Sequence, residues 1–237
     1  MKKTIGILGG MGPEATAHFF SLIIKHTQAE KDQEHIPIII YNNPKIPPRT
    51  DALLQMGPSP VPLLRQGIRM LEKAGADFIV IPCITAHAFL SQATVKAKIP
   101  VVDIPEETLA YTRKKIPGLA HAGLIASTGS VKSEIFDKTF SRARITIIKP
   151  SVKEQEKIME AIFGKKGIKA GFTSGRPKKL IIEAAHRLIQ RGAEAIIAGC
   201  TEVPLVLQQG DLPVPLIEPM RIAAEASIIR AGYKIKA

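Results

Sequence analysis

The sequence predicts an α/β protein of two pseudo-symmetric lobes, each a small, mainly parallel, doubly wound sheet flanked by helices. Two observations predict this class. Short apolar segments rich in Ile and Val alternate with segments of helical periodicity, as is typical of parallel α/β proteins. In addition, one local pattern, an apolar segment that ends at a cysteine, occurs twice, at Cys83 and at Cys200.

The first half of the chain alternates strands and helices in a regular order. Residues 4–8 are predicted as a buried strand, because they are apolar and lead into the glycine-rich turn Gly9 to Pro13. Residues 14–29 are predicted to be helical, because apolar residues recur there at helical spacing. The remaining predictions are a strand at 37–41, an irregular Asn- and Pro-rich segment at 42–50, a helix at 62–74, a strand at 77–81, a further helix, a strand near 101–102 and a helix from 106.

The same alternation restarts in the second half. It begins with a strand at 122–126, a polar turn at 127–130 and a helix, by the same reasoning from apolar segments and turn residues. The remaining predictions are a strand at 144–148, a helix at 152–163, a glycine- and lysine-rich loop at 164–177, a helix at 180–190, a strand at 195–198, a late strand at 215–217 and a closing helix from 221.

The restart is an internal repeat. Cys83 and Cys200, which are the only two cysteines, lie 117 positions apart, and a Gly-Ala-acid turn precedes each of their strands. Repeats this long indicate two similar lobes rather than a solenoid. The same offset relates Gly6 to Gly123, Gly12 to Gly129, Leu71 to Leu188 and Gly75 to Gly192.

The repeat predicts where the domains and the active site lie. We expect a first lobe of residues 1–102 with 217–237, carrying Cys83, and a second lobe of residues 103–216, carrying Cys200. Ligands of doubly wound sheets bind at the carboxyl ends of the strands, where both cysteines are predicted. We therefore expect the active site in the cleft between the lobes, with the two thiols on opposite walls.

Two facing thiols are suited to removing a proton from one face of a carbon and returning one to the other face. This is racemisation by a two-base mechanism, and a thiol pKa of about 8.5 allows both roles. Thr85 and Thr201 are expected to cap the helices that follow the cysteines, whose N-termini tune the thiols. The alternative is that both cysteines are small buried hydrophobic residues, which their place in the repeat disfavours.

The net charge of +12 is concentrated in residues 142–191, which contain 13 Lys and Arg against four Glu. A basic surface attracts small anions or nucleic acid, or is simply solvated. A catalytically lapsed nucleic-acid-binding protein is therefore an alternative, although nucleic acid is not the expected partner. The loop Gly9 to Gly12 lacks the G-x-G-x-x-G spacing of a dinucleotide site, which disfavours a nucleotide-binding regulator.

No apolar segment approaches the roughly 18 residues needed to span a bilayer. The two lysines before the first apolar segment resemble a signal peptide, but that segment breaks at Gly9 without an Ala-x-Ala cleavage pattern. We therefore expect a cytoplasmic protein with free thiols. No cluster of residues has zinc-site spacing, so no metal is expected.

Seven motifs together resemble the aspartate/glutamate racemases that need no pyridoxal phosphate. The resemblance covers nearly the whole chain, and the combination of motifs is specific although each one alone is weak. The motifs are Gly6 to Pro13, Asn42 to Pro44, Ile46 to Thr50, Ala74 to Phe78, Pro82-Cys83 with Thr85 to His87, Gly167 to Gly171, and Gly199 to Glu202.

The resemblance implies a cofactor-independent racemase that acts on L- and D-aspartate or glutamate, and a homodimer. It implies that Cys83 and Cys200 are the catalytic pair, while Arg49 and Lys169 hold the substrate carboxylates. By the same resemblance, Thr85, Thr128 and Thr201 supply polar contacts, and Met11 forms part of the wall of the site.

The sequence departs from the family at Ile84, where the family usually places a substrate-binding Asn. Loss of that amide removes hydrogen bonds worth about 0.5–1.5 kcal/mol each. This leaves open another thiol-dependent isomerase or decarboxylase of small carboxylic acids. His87 and Glu202 lie beside the two cysteines in sequence, and both catalytic and structural roles are open for them.

Overall fold

The structure is a computed structural model that describes residues 2–236 of the chain. The chain divides into two compact units, Met1–Glu107 with Met220–Ala237 and Thr108–Pro219. Each unit contains one parallel sheet with helices packed on it, which confirms the predicted α/β class. None of the helices within residues 2–236 is long and apolar enough to cross a membrane.

The regular elements follow one another in an alternating order. The strands are β1 Ile5–Gly9, β2 Ile38–Asn42, β3 Phe78–Val80, β4 His121–Ile125, β5 Thr146–Ile148, β6 Ala195–Ala198 and β7 Leu216–Ile217. The α-helices are α1 Pro13–His26, α2 Arg49–Leu53, α3 Val61–Lys73, α4 Leu90–Ala93, α5 Ile104–Lys115, α6 Thr128–Ser133, α7 Ile135–Phe140, α8 Val152–Phe163, α9 Arg176–Gln190 and α10 Pro219–Arg230.

The first sheet has the order β2-β1-β3, with all pairs parallel. Strand β1 is central and its five residues are all buried, as its unbroken apolar sequence requires in a sheet covered on both faces. Helix α3 packs the apolar residues Leu64, Ile68 and Leu71 into the core around this sheet. Val101 makes only a single bridge to Ile79, so the strand predicted near 101–102 is not formed.

The second sheet has the order β5-β4-β6-β7, and it is also parallel throughout. Helix α8 begins at a capping box in which Ser151 and Glu154 satisfy each other's backbone N–H groups, so its start is well defined by sequence. Helix α9 begins at Arg176, four residues before the predicted start. Pro177 lies in its first turn, where a proline removes no helical hydrogen bond.

The register of the two sheets confirms the internal repeat. Ile5 pairs with Phe78 in the first sheet, and Ala122 pairs with Ala195 in the second, so both pairs are related by 117 positions. Gly6 and Gly123 have the same reason to be glycine. An added Cβ at Gly6 would lie 2.9 Å from the Ala76 side chain, and at Gly123 it would lie 2.7–3.1 Å from three side chains, including the equivalent alanine, Ala193.

Three further local predictions were wrong. The segment 42–50 was expected to lack regular structure, but Asn42 ends β2 and Arg49 begins α2 directly after Pro48. A proline immediately before the first turn is compatible with a helix start. The segments after the two cysteines, expected to be capped α-helices, begin as short 3₁₀-helices at Ile84–Phe89 and Val203–Leu205. Their N-caps in the described part of the chain are Cys83 and Glu202 rather than the predicted threonines, and neither makes a side-chain cap.

Candidate active site

Cys83 lies just beyond the carboxyl end of β3 and is 5% exposed. Its carbonyl oxygen accepts a hydrogen bond from the Ala86 N–H at 3.1 Å, which starts the 3₁₀-helix. The same carbonyl lies 3.0 Å from Nδ1 of His87, and Nε2 of that ring lies 3.4 Å from the Val102 carbonyl. Cys83 is therefore held through its backbone, by a buried histidine.

Burial and the neighbouring groups have opposite effects on the pKa of His87. Burial lowers the pKa of its imidazole, while the charge of Asp103 and the nearby carbonyls act in the opposite direction and do not overcome it. A neutral imidazole donates from only one ring nitrogen, so one of the two carbonyls does not receive a hydrogen bond. The shorter distance indicates that Nδ1 donates to the Cys83 carbonyl.

Cys200 lies beyond the carboxyl end of β6, at the equivalent place, and is 8% exposed. Its sulfur donates to Oε2 of Glu202 at 2.9 Å, and the hydroxyl of Thr201 donates to the same oxygen at 2.8 Å. Burial raises the pKa of the Cys200 thiol well above its ordinary value, and the charge of Glu202 raises it further. Cys200 is therefore held through its thiol.

Lys169 completes the polar cluster around Glu202. It lies on the short 3₁₀-helix Ile168–Ala170, which ends at Gly171 with a φ of +88°. Its ammonium group donates to Oε1 of Glu202 at 2.5 Å and lies 5.5 Å from the centre of the Phe163 ring. The Glu202 side chain is 3% exposed, whereas that of Lys169 is 26% exposed.

Arg49 and the glycine loop lie together in the first unit. The guanidinium donates from Nη2 to the Met11 carbonyl at 2.8 Å and from Nη1 to the carbonyls of Pro47 and Ile46 at 3.0 and 3.3 Å. Among residues 2–236 its buried Nε has no hydrogen-bond partner. An unsatisfied buried donor costs about 1–3 kcal/mol, so this N–H is ready to bind an acceptor.

The glycines after β1 are explained by close packing within the protein. A Cβ at Gly9 would lie 2.2 Å from the Thr16 side chain, and one at Gly10 would lie 2.3 Å from the Asn43 backbone. The Thr16 hydroxyl accepts from the Gly10 N–H at 3.0 Å and donates to the Gly12 carbonyl at 2.9 Å. These contacts account for the glycines without a nucleotide phosphate.

The remaining predicted site residues lie at the carboxyl ends of strands or just beyond them. Thr128 is the first residue of α6, and its hydroxyl accepts from the Gln155 amide at 3.3 Å. Ile84 is buried beside Cys83, and Thr85 follows it half-buried. Each unit thus gathers its own predicted site residues at one edge of its sheet.

Glu202 is the residue whose importance the sequence did not resolve. It contacts Cys200, Thr201 and Lys169, three of the predicted site residues, and binds them into one hydrogen-bonded cluster. The only signal in the sequence was its position two residues after Cys200, which equally suits a helix cap.

The basic segment 142–191 is partly neutralised by carboxylates of the same unit. Besides Lys169, which pairs with Glu202 at 2.5 Å, four of its cations form ion pairs at 2.7–3.2 Å, which reduces the positive surface available to a polyanion. Within residues 2–236 no ion pair is found for Lys165 or Lys166. The pairs are Lys149 with Asp137, Arg176 with Glu160, Lys178 with Asp211, and Arg191 with Glu154.

Two parallel sheets of matching register, each with a buried free cysteine after one of its strands, identify a duplicated α/β protein whose halves carry equivalent cysteines. The chain belongs to the Asp/Glu/hydantoin racemase family, whose family model matches residues 8–227. It is therefore an amino-acid racemase of that family, which makes it an isomerase.

Individual relatives agree with this assignment. The chain is 26% identical to the broad specificity amino-acid racemase RacX of Bacillus subtilis strain 168 over 231 residues, which cover 94% of this chain and 96% of the relative. It is similar in structure to the aspartate racemase of Picrophilus torridus, with 28% identity, a TM-score of 0.88 and coverage of 99% and 96%. An aspartate racemase homologue from Pyrococcus horikoshii OT3 shares the fold at 24% identity and a TM-score of 0.78, over 98% and 100% of the two chains.

Proposed function

We propose that this racemase interconverts L- and D-aspartate, or L- and D-glutamate, with Cys83 and Cys200 as the two proton-transferring groups. One thiolate removes the α-proton, and the other thiol protonates the opposite face of the resulting carbanion. The reaction changes neither the oxidation state nor the composition of the substrate, so two acid–base groups suffice. The observation that carries the proposal is the equivalence of the two cysteines, which follow strands of identical register 117 positions apart.

The surroundings of the predicted cations support an acidic substrate. The Arg49 guanidinium is fixed by three carbonyls, yet its buried Nε–H lacks an acceptor. A substrate carboxylate would satisfy that donor through a charge-assisted hydrogen bond, which is about twice as strong as a neutral one. Lys169 is partly exposed and is the candidate for the second carboxylate.

The test is incorporation of deuterium at the α-carbon of each enantiomer in heavy water, together with the racemisation rate. Wild-type protein is expected to exchange and racemise aspartate or glutamate. Cys83→Ser and Cys200→Ser are each expected to abolish racemisation, while each retains exchange with the one enantiomer served by its remaining thiol. Absence of exchange from any isomer of either amino acid in the wild type would contradict the proposal.

Arg49 is tested against a matched arginine of the same unit. Arg49→Lys removes the planar fork and its Nε–H, and is expected to raise the KM for a dicarboxylic substrate by at least about tenfold, equivalent to 1.4 kcal/mol. Arg65→Lys is the control, because within the described residues Arg65 donates only to the Gln92 carbonyl. Equal KM values in the two variants would remove Arg49 from the site.

A second candidate substrate class is favoured by Ile84, which is 2% exposed and brings an apolar side chain to the position beside Cys83. The relative from Bacillus subtilis is named for broad specificity. The exchange assay is therefore run on neutral amino acids and on a hydantoin as well. A kcat/KM higher for these than for aspartate and glutamate would replace the acidic substrate in the proposal. Release of CO₂ instead of exchange would indicate a decarboxylase.

We also infer a homodimer, which the resemblance to the racemases implies. Light scattering coupled to size-exclusion chromatography tests this. A single species with the 25.7 kDa mass of one chain would contradict it.

A further inference from the structure

The carboxylate of Glu202 is a buried polar group of the second unit that is fixed by several donors. It is buried and receives three donors: the Cys200 thiol at 2.9 Å, the Thr201 hydroxyl at 2.8 Å and the Lys169 ammonium at 2.5 Å. A buried carboxylate is tolerated only when it is paired and hydrogen-bonded, and Lys169 supplies the countercharge. The contact with the thiol is not needed for this pairing.

We propose that Glu202 takes up the proton of Cys200 when Cys200 acts as the base, so that the thiol and the carboxylate share one proton. The inference rests on the proposed two-thiol reaction and gives one half of it a further acid–base group. Its position in direct hydrogen-bond contact with the sulfur is the geometry that a proton acceptor requires.

The transfer balances without any further reactant. The S–H bond of Cys200 breaks, an O–H bond forms at Oε2 of Glu202, and the electron pair remains on sulfur. The pair carries one negative charge before and after the transfer. The thiolate then removes the α-proton of the substrate, which re-forms the S–H bond and leaves the electron pair on carbon.

The environment explains why such an acceptor is needed. The sulfur is buried, and burial together with the adjacent negative charge holds the Cys200 pKa well above its ordinary value, so loss of the proton to bulk water is unfavourable. An acceptor in direct contact avoids separating charge across a buried region. Thr201 fixes the accepting oxygen, and Lys169, on the other oxygen, keeps a positive charge beside the anionic pair.

The arrangement is confined to one half of the protein. The position equivalent to Glu202 in the first half is Thr85, which carries no carboxylate. Enantiomers are equally stable in water, so kcat/KM must be the same in both directions of racemisation, whichever thiol is impaired. The asymmetry therefore has to be measured as α-proton exchange by each thiol separately.

The experiment places Glu202→Gln in the two single-cysteine backgrounds and measures deuterium exchange with both enantiomers. With Cys83→Ser, where Cys200 works alone, exchange is expected to fall about 100-fold or more, the usual contribution of a general base. With Cys200→Ser, exchange by Cys83 is expected to fall much less. Glu202→Asp keeps a carboxylate but withdraws it from the sulfur, so an intermediate rate is expected.

The matched control is Glu160→Gln, which removes a carboxylate of the same unit whose contact is the exposed Arg176. In each background this variant is expected to exchange at the rate of its single-cysteine parent. Thermal melting of every variant shows whether Glu202→Gln folds. Should it not fold, the Glu202→Asp variant decides the matter, because exchange equal to the parent would overturn the proposal.

Alkylation of Cys200 as a function of pH, measured by mass spectrometry, separates a proton acceptor from a mere charge. Glu202→Gln removes the negative charge beside the sulfur, so the alkylation midpoint should move to lower pH. If Glu202 acted only through its charge, this more acidic thiol would exchange the substrate proton faster. Our proposal predicts the opposite, a lower midpoint together with slower exchange.

The outcomes distinguish this proposal from the proposed function. If Glu202→Gln leaves the exchange rate of the Cys83→Ser variant unchanged, the role of Glu202 is overturned and the two-thiol reaction stands. Absence of exchange in the wild type would overturn the two-thiol reaction, and with it the catalytic use of the proton.

Discussion

The turns after β3 and β6 have the same backbone frame but different chemistry. The Cys83 carbonyl accepts from the Ala86 N–H at 3.1 Å, and 117 positions later the Cys200 carbonyl accepts from the Val203 N–H at 3.0 Å. The strands before them share their register as well. The internal repeat therefore preserves the backbone path that delivers each cysteine to the edge of its sheet.

The side chains around the two cysteines differ in what they hold. In the first unit His87 contacts the carbonyl of Cys83, and in the second Glu202 accepts a hydrogen bond from the thiol of Cys200. One cysteine is thus positioned through its main chain and the other is coupled through its reactive atom. A pseudo-symmetric scaffold does not require the two acid–base groups to be activated in the same way.

The largest expected effect tests whether the scaffold is equivalent in the two halves. Gly6→Ala places a Cβ 2.9 Å from the Ala76 side chain, and Gly123→Ala places one 2.7–3.1 Å from three side chains of its own unit. Each is expected to destabilise its unit by about 1–3 kcal/mol, the usual cost of overpacking. Urea denaturation measures the loss. Gly210→Ala is the control, because a Cβ there meets no atom of the described residues within 4 Å. If only one of the two substitutions lowered the free energy of unfolding, the two glycines would not be packed equivalently.

The acid side of the stability profile tests the first half. Burial lowers the pKa of His87 below 6.5, so the unfolded chain binds this proton more readily than the folded one. The contribution of His87 is fully present above about pH 6.5 and is lost as the pH falls through the folded pKa, at up to about 1.4 kcal/mol per pH unit. His87→Asn should flatten this decline in denaturation curves. The exposed His186→Asn is the control, and an unchanged decline in His87→Asn would contradict the assignment.

The alkaline side tests the second half, with the opposite sign. The pKa of Cys200 is raised above 9.0 in the folded protein, so the unfolded chain loses this proton first. The contribution of Cys200 is fully present below about pH 9 and is lost as the pH rises towards the folded pKa, again at up to about 1.4 kcal/mol per pH unit. Cys200→Ala removes this decline. A difference from the wild type that stays constant through the alkaline range would contradict the raised pKa.

Much of the fold could be predicted because its determinants are local or repeated. Strand β6 and helix α8 have the predicted bounds, since the first is a short buried apolar segment between turns and the second begins at the Ser151 capping box. The internal repeat could be found from the sequence alone, because equivalent residues lie 117 positions apart. Local signals failed beside proline, which can end one element or precede the start of another. Arg49 was assigned to an irregular segment because of the prolines before it, but it begins a helix directly after Pro48.

The site was less predictable, because its contacts join distant parts of the chain. Lys169 reaches Glu202 across 33 positions, which a loop between α8 and α9 makes possible. The sequence shows Glu202 beside Cys200 but does not show whether its carboxylate caps a helix or meets the sulfur. His87 is similar, because one of its carbonyl contacts is local and the other comes from Val102. Hydrogen bonds of this kind follow from tertiary packing.

The smallest expected effect compares the two acidic residues that precede the cysteine-bearing strands. Asp77 accepts from the Thr4 N–H at 2.7 Å, whereas Glu194 accepts from two, those of Ala120 and His121, at 2.8 and 2.9 Å. These two amides lower the pKa of Glu194 below its ordinary 4.5. Glu194→Gln should therefore lower the melting temperature more than Asp77→Asn does at neutral pH.

The Glu194 contribution also has a defined pH dependence. Because its folded pKa is depressed, the contribution is present above about pH 4.5 and is lost as the pH falls through the folded value. The melting temperatures of Glu194→Gln and wild type should therefore converge in acid. Equal losses in Asp77→Asn and Glu194→Gln at neutral pH would show that a second amide donor adds nothing. The two turns would then differ only after the strands, around the thiols themselves.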